Sequence, residues 1–152
     1  AVSRSGAGMS SSSAREPGAT LPRLKLAPQQ DGFASHVGPF YEIALPHGMR
    51  RAVLLDGRHL SPAGVVHAGA ISTFADYVLT RGVEDEVGSE LRYLTIDLHC
   101  QYLAAAFPNR WVYGEAHILR RTRELVFAAG EIFDQQRRIA FVSGIWKRVG
   151  AE

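Results

Sequence analysis

From Ala68 to Thr80 the chain reads AGAISTFADYVLT, and its apolar residues recur at helical spacing. Ile71, Phe74, Ala75, Val78 and Leu79 fall at i, i+3, i+4, i+7 and i+8, the signature of one buried helix face. The spacing predicts a helix that starts at Ala68 and stops near Arg81-Gly82, followed by an acidic loop over Glu84–Glu90. After residue 92 the period changes to two. Over Tyr93–Leu103, Leu94, Ile96, Leu98, Cys100 and Tyr102 share one face, and Tyr93, Thr95, Asp97, His99 and Gln101 share the other, so this is a strand. Trp111–Leu119, Leu125–Phe133 and Arg138–Lys147 read as three more long strands. Their short connections predict antiparallel neighbours throughout, including across Ala105–Arg110. Upstream, Phe40–Leu45 and Arg50–Leu55 are extended runs joined by the turn signal Pro46-His47-Gly48. A loop with Pro62 and Gly64 leads into the helix. The plan is α+β: two strands, one long helix, then four long strands, with a single sheet curled around the helix.

The chain has 152 residues, of which 46% are hydrophobic. That suffices for one domain with a core. Residues 1–31 are expected to form a loosely ordered tail, and residues 32–152 a single domain, because the first 20 residues are rich in Ser, Ala and Gly without apolar periodicity. Met9 within this stretch, and Ala at position 1, suggest an appended remnant or a late natural start. The tail is acid-poor, as transit peptides are, but shows no amphipathic helix.

The formal charge of +2 is concentrated in residues 1–31, which hold Arg4, Arg15, Arg23 and Lys25 against Glu16 and Asp31. The remainder carries 13 basic and 13 acidic residues and is neutral. Neither the charge nor any interleaved aromatic pattern points to nucleic acid. No apolar run reaches the ~20 residues of a membrane span. A single cysteine, Cys100, excludes an internal disulfide and multi-cysteine metal sites, and it suits a reducing, cytoplasmic setting. His59, His99 and His117 show no ligand spacing, so no metal is expected.

Asp76 is the one charge in the predicted helix between Ala68 and Thr80. Such a helix is expected to be wrapped by protein on most sides, where a lone carboxylate is costly unless it is bonded or used. Asp76 is therefore either a structural carboxylate bonded to Ser72, Thr73 or nearby backbone, or a catalytic group. Ahead of it, small residues at Ala68, Gly69 and Ala70 either allow close helix–sheet packing or let a ligand approach the unpaired N–H groups of a helix start.

The segment Ser61-Pro-Ala-Gly64-Val-Val-His67-Ala68-Gly69, with Asp76 seven residues after Gly69, resembles the PaaI-like hotdog-fold acyl-CoA thioesterases. The likeness spans about residues 36–148. Gly64, His67, Gly69 and Asp76 fall on the family pattern N-x-x-G-x-x-H-G-G…D. Ser61 stands where that pattern has Asn, and Ala68 where it has the first Gly of the pair. Thr95 resembles a Ser/Thr that faces the active site.

The resemblance implies a hotdog fold, a long helix wrapped by a curved antiparallel sheet of five to six strands, hydrolysing acyl-CoA to free acid and CoA without a separate cofactor. It implies that Asp76 acts as general base or nucleophile, that the N–H at Ala68 is the oxyanion contact with Gly69 beside it, and that Thr95 orients water. Ser61 takes the place of an Asn that positions the thioester or water, and either fills that role or only shapes the turn. His67 has a supporting part or packs against the loop. The hairpin arginines Arg120, Arg121 and Arg123 are candidates to hold the CoA phosphates, or form a solvated turn. Phe74, Tyr77 and Tyr102 are candidates to line the acyl pocket, with aryl-acyl and medium-chain groups in view.

Ala68 and Asp76 are eight residues apart, about 12 Å along one helix, so one carbonyl cannot touch both in the same chain. The site is therefore expected between two protomers, in a homodimer or a dimer-of-dimers tetramer. The competing reading is a non-catalytic acyl-CoA or acyl-lipid binding protein. A dehydratase or hydratase is disfavoured by the lack of an Asp–His pair in one loop or helix.

Overall fold

A computed structural model describes residues 23–28 and 31–150. Residues 1–22 of the expected tail lie outside the described residues. Strand β1 (Lys25–Leu26) precedes a short helix α1 (Ala34–Val37), strands β2 (Phe40–Leu45) and β3 (Gly48–Leu55), and a 3₁₀ turn at Gly57–His59. Then come helix α2 (Ala68–Val87) and strands β4 (Tyr93–Tyr102), β5 (Arg110–Arg121), β6 (Leu125–Phe133) and β7 (Arg138–Arg148). All seven strands form one antiparallel sheet in the order β1-β2-β3-β5-β6-β7-β4. One long helix on one sheet is the hotdog architecture. The strand count exceeds the expected five to six because Lys25–Leu26 pairs with Tyr41–Glu42 and adds an edge strand within the stretch read as tail.

The core is the seam between α2 and the sheet. Ile71, Phe74, Ala75, Val78, Leu79 and Val83 are buried along one helix face. They meet Phe40, Val53, Leu55, Val112, Ile132 and Trp146 from the strands. Phe74 and Tyr77 both pack on the Phe40 ring, at 5.5 and 4.3 Å between centroids. The Trp146 indole N–H donates to the Thr80 hydroxyl at 3.0 Å, tying the helix to β7 through a group that burial would otherwise orphan.

Four sequence expectations are corrected. The helix does not stop at Gly82, and the acidic stretch is not all loop: α2 runs to Val87 and ends at Gly88, whose φ of 89° requires glycine. Gly82 is instead a contact point. A Cβ there would lie 2.5 Å from the Ala116 Cβ, so its absence lets α2 approach β5.

Next, β4 is not the neighbour of β5; it pairs with β7 at the sheet edge. The short connection after β4 crosses the sheet end beneath the start of α2 and is held there by backbone bonds. Leu103 N–H donates to Ile139 O (2.8 Å), Val66 N–H to Ala106 O (2.9 Å) and Asn109 N–H to Leu55 O (2.6 Å). Three strand spacings are about 14 Å, within reach of an extended loop of this length.

Third, β4 does not alternate throughout. Its register slips between Thr95 and Asp97. The bulge puts Tyr93 and Thr95 on the helix side together with Leu98, Cys100 and Tyr102. Leu94 and Ile96 are left 56% exposed. Finally, α2 is not wrapped on most sides: Ala68 and Gly69 are exposed, and Ser72, Thr73 and Asp76 are only half-buried.

The contact at Gly82 gives a stability test. Gly82→Ala, favourable by helix propensity alone, is expected to destabilise the fold by about 1–3 kcal/mol through overpacking against Ala116. Adding Ala116→Gly should recover most of that loss in a thermal-unfolding double-mutant cycle.

Candidate active site

One stripe of α2 gathers the chemistry. Ala68, Ser72, Asp76 and Thr80 follow each other at i+4, so they line a single row along the helix toward β4 and β7. Thr95 Oγ1 donates to Asp76 Oδ1 at 2.9 Å. Ser72 and Tyr102 bond to one another through their hydroxyls, and the Tyr102 hydroxyl also donates to the Ala68 carbonyl at 3.2 Å. Thr73 donates to the Gly69 carbonyl at 2.8 Å. The partner of Asp76 is thus Thr95, which the β4 bulge turns inward, rather than Ser72 or Thr73.

The start of α2 separates two donors that the sequence treats alike. His67 is the N-cap, and its Nδ1 accepts the Gly69 N–H at 2.8 Å. The Gly69 N–H is therefore occupied. The Ala68 N–H belongs to the first residue of the helix, has no partner among the described residues, and is exposed. Asn109 is the one described non-glycine residue with positive φ, so Ala68 needs no glycine and its N–H is kept.

Two open grooves flank this helix start. One, of about 340 Å³, runs along Val66, Ile71, Tyr102, Leu103, Ala105 and Ile139 and is largely apolar. The other, of about 390 Å³, is bordered by Phe33, His36, Arg58, His59, His67 and Thr73. Of the aromatics expected to line a pocket, only Tyr102 does so; Phe74 is fully buried and Tyr77 stacks on Phe40.

Ser61 sits in the turn before α2. Its N–H and its hydroxyl both donate to Val65 O, at 2.8 and 3.0 Å, and its carbonyl accepts the Gly64 N–H. Gly64 has φ of 78°, which the turn requires. Arg120, Arg121 and Arg123 lie at the far end of the molecule. Arg121 Nη1 reaches Glu86 O at 3.5 Å, and Arg123, 91% exposed, lies 3.8 Å from Glu124. Glu86 is eighteen residues beyond Ala68, about 27 Å along the axis, so a single chain does not bring these arginines to the helix start.

Sequence reasoning missed the His67 cap and the Ser72–Tyr102 bond. The i+4 row could have signalled the second; histidine is not among the usual N-cap residues, so nothing local signalled the first. Among the described residues no group of three or more His, Cys, Asp or Glu is placed to hold a metal. No described helix is long and apolar enough to cross a membrane.

A long helix packed on an antiparallel sheet, with an open N–H at the helix start and a carboxylate two turns on, is a hotdog fold. The family comparison agrees: the Thioesterase superfamily matches residues 63–141, just over half of the chain. The chain belongs to the thioesterase superfamily. A search of curated proteins returns no match. Among solved structures, thioesterase superfamily member 2 of zebra fish aligns at a TM-score of 0.69 and 19% identity, over 80% of this chain and 88% of that one. A Bacillus halodurans protein crystallised with CoA aligns at 0.68 and 15%, over 73% and 74%. The PaaI protein of the phenylacetic acid degradation operon of E. coli aligns at 0.61 and 16%, over 68% and 73%. At these identities the likeness is one of fold; with the family match it bears out the resemblance to hotdog thioesterases.

Cys100 borders the stripe. Burial pushes its thiol up; hydrogen bonds with Ser72 and Tyr102 oppose this, and the nearby Asp76 carboxylate adds to it. A raised thiol pKa means less thiolate at neutral pH. Cys100 is therefore expected to alkylate with iodoacetamide several-fold more slowly than a free model thiol at pH 7.5, measured by mass spectrometry.

Proposed function

We propose that the protein hydrolyses acyl-CoA thioesters to the free acid and CoA, at a site shared by two copies of the chain. The observation that carries this reading is the pairing on one helix of an unpartnered N–H at Ala68 with a hydrogen-bonded carboxylate at Asp76, too far apart to act on one carbonyl. The exposed edge supports it. Beyond β7, β4 has no further strand partner among the described residues, and it exposes Leu94 and Ile96. Such an edge is a template for pairing with a second copy. Antiparallel pairing there brings two α2 helices side by side in opposite directions, the arrangement that sets Asp76 of one against the helix start of the other. A homodimer is the minimal unit, and a pair of dimers is compatible with it.

In this mechanism the thioester carbonyl oxygen accepts the Ala68 N–H, which stabilises the charge that develops as the carbon becomes tetrahedral. Asp76 of the second copy takes a proton from water as the water oxygen attacks that carbon. Thr95 holds Oδ1, leaving Oδ2 for the water. Collapse of the intermediate breaks the carbon–sulfur bond, releasing the CoA thiolate, which is then protonated. Direct attack by Asp76, through an anhydride that water then opens, uses the same residues. The acyl group lies in the apolar groove beside Ile71 and Ile139, where aryl-acyl and medium-chain groups are the candidates. His67 and Gly69 shape the helix start, Ser61 holds the preceding turn, and Arg120, Arg121 and Arg123 are the candidates for the CoA phosphates. CoA is part of the substrate, and the chemistry calls for no additional cofactor. The cytoplasm, which suits an unpaired cysteine, is the proposed location.

One observation favours a second reading, a protein that binds acyl-CoA or acyl-lipid without turnover. The Ser61 hydroxyl, where the family pattern has Asn, is engaged by Val65 O rather than open to a ligand.

Thiol release from a panel of acyl-CoAs separates the two. Asp76→Asn is expected to lower kcat at least 100-fold, and Thr95→Val about tenfold. Ala68→Pro is the sharper probe. Proline is tolerated at the first helical position, and His67, with ψ of 136°, already has the conformation that precedes proline. It removes one N–H and little else, and is expected to lower kcat about 10²- to 10³-fold while the thermal midpoint stays near the parent's. CoA binding without thiol release in the parent would favour the second reading.

A further inference from the structure

We propose that His67 is a positioning residue whose neutral imidazole holds the Ala68 N–H in place, making the site dependent on the protonation of this one ring. The kinetic part of this inference rests on the thioesterase reading above; the structural part does not.

The peptide linking His67 to Ala68 is fixed from both sides. Its carbonyl accepts the Ala70 N–H at 3.0 Å and the Ile71 N–H at 3.4 Å. In a planar trans peptide the N–H points opposite to the carbonyl, so these bonds aim the Ala68 N–H outward. The preceding N–H, that of His67, donates to His59 O at 2.7 Å. The following one, that of Gly69, donates to the His67 ring. Of three successive N–H groups, the outer two are tied and the middle one is presented.

The ring lies close over Gly69, and a side chain at residue 69 would make it shift by a few tenths of an ångström. A Cβ there would sit 3.0 Å from Nδ1 and 3.3 Å from Cε1. His67 and Gly69 thus work as a unit, which gives Gly69 a role beyond close packing.

A histidine cap differs from the usual Ser, Thr, Asn or Asp cap in one respect. Nδ1 accepts a hydrogen bond only while it carries no proton, so the cap requires the neutral tautomer with hydrogen on Nε2. Protonation sets N–H against N–H at the positive end of a helix. Among the described residues, the titratable and charged groups that border this groove with His67 are His36 of α1 and Arg58 and His59 of the 3₁₀ turn, with no carboxylate; the Tyr102 hydroxyl of β4 reaches the Ala68 carbonyl. His59 is fully engaged: Nδ1 accepts the Asp56 N–H at 3.0 Å, and Nε2 donates to Val37 O at 2.9 Å. Arg58 donates to Gly38 O and lies 3.4 Å from the Asp56 carboxylate.

The test compares the parent with His67→Ala and His67→Asn, the latter a cap at any pH. Loss of the cap in His67→Ala should lower kcat about tenfold with KM within about threefold, and His67→Asn should restore kcat to within about threefold of the parent. The parent should lose kcat on acidification in step with the His67 ring as followed by ¹⁵N NMR, and His67→Asn should lack that component, keeping only the loss that follows protonation of the Asp76 base. Independently of any substrate, the Gly69 amide resonance should follow protonation of the ring in the parent but not in His67→Asn. A Gly69 amide insensitive to pH, or an acid profile of kcat in His67→Asn identical to the parent's, would overturn the proposal. A parent with no thioesterase activity but a titrating Gly69 amide would refute the function and leave the cap standing.

Discussion

Every feature of the site hangs on how closely α2 lies on the sheet. The helix has one fully apolar face, and the sheet offers a concave surface to receive it. Contact is close enough that Gly82 and Ala116 leave no room for a further methyl group. With the apolar face fixed, the row at Ala68, Ser72, Asp76 and Thr80 is fixed as well, because both are read off one rigid helix. The Trp146–Thr80 bond pins the row's far end to β7. The Tyr102 hydroxyl, bonded to Ser72 and to the Ala68 carbonyl, pins its near end to β4.

The same rigidity is why the proposed site needs two chains. A straight helix holds its start and its carboxylate two turns apart whatever the surroundings, and no side-chain adjustment shortens that distance. The polar row, the half-exposed Asp76 and the edge of β4 are the features the proposed pairing of two copies uses. The exposure of Leu94 and Ile96 follows from the bulge that turns Thr95 toward Asp76. One backbone irregularity thus aims a polar side chain at the carboxylate and presents apolar side chains at the edge.

Much of this is legible in the sequence. The period of 3.6 over Ile71–Leu79 gives the helix and its buried face, and a lone Asp76 marks the row. What was not legible depends on contacts between segments distant in the chain. A bulge reverses the parity of a strand without altering its composition, so Leu94 and Ile96 read as inward-facing. A loop's length limits how far it can reach but not which strand it joins, so β4 was set beside β5 rather than β7. Gly82 has the residue type of a helix stop and serves as a packing contact, a difference visible only once Ala116 lies opposite. His67 is not a standard cap, so its bond to Gly69 was hidden, and with it the distinction between an occupied and an open N–H.

The claim that the site draws its two halves from different chains is tested most directly by mixing two inactive variants. Ala68→Pro and Asp76→Asn chains, each homogeneous, are unfolded together, refolded at equal concentration and assayed for thiol release. Random pairing makes half of the dimers mixed, and each mixed dimer holds one intact site, so activity should recover to about a quarter of the parent's. Activity that stays at the level of the separate variants, with mixed dimers verified by native mass spectrometry, would contradict the account.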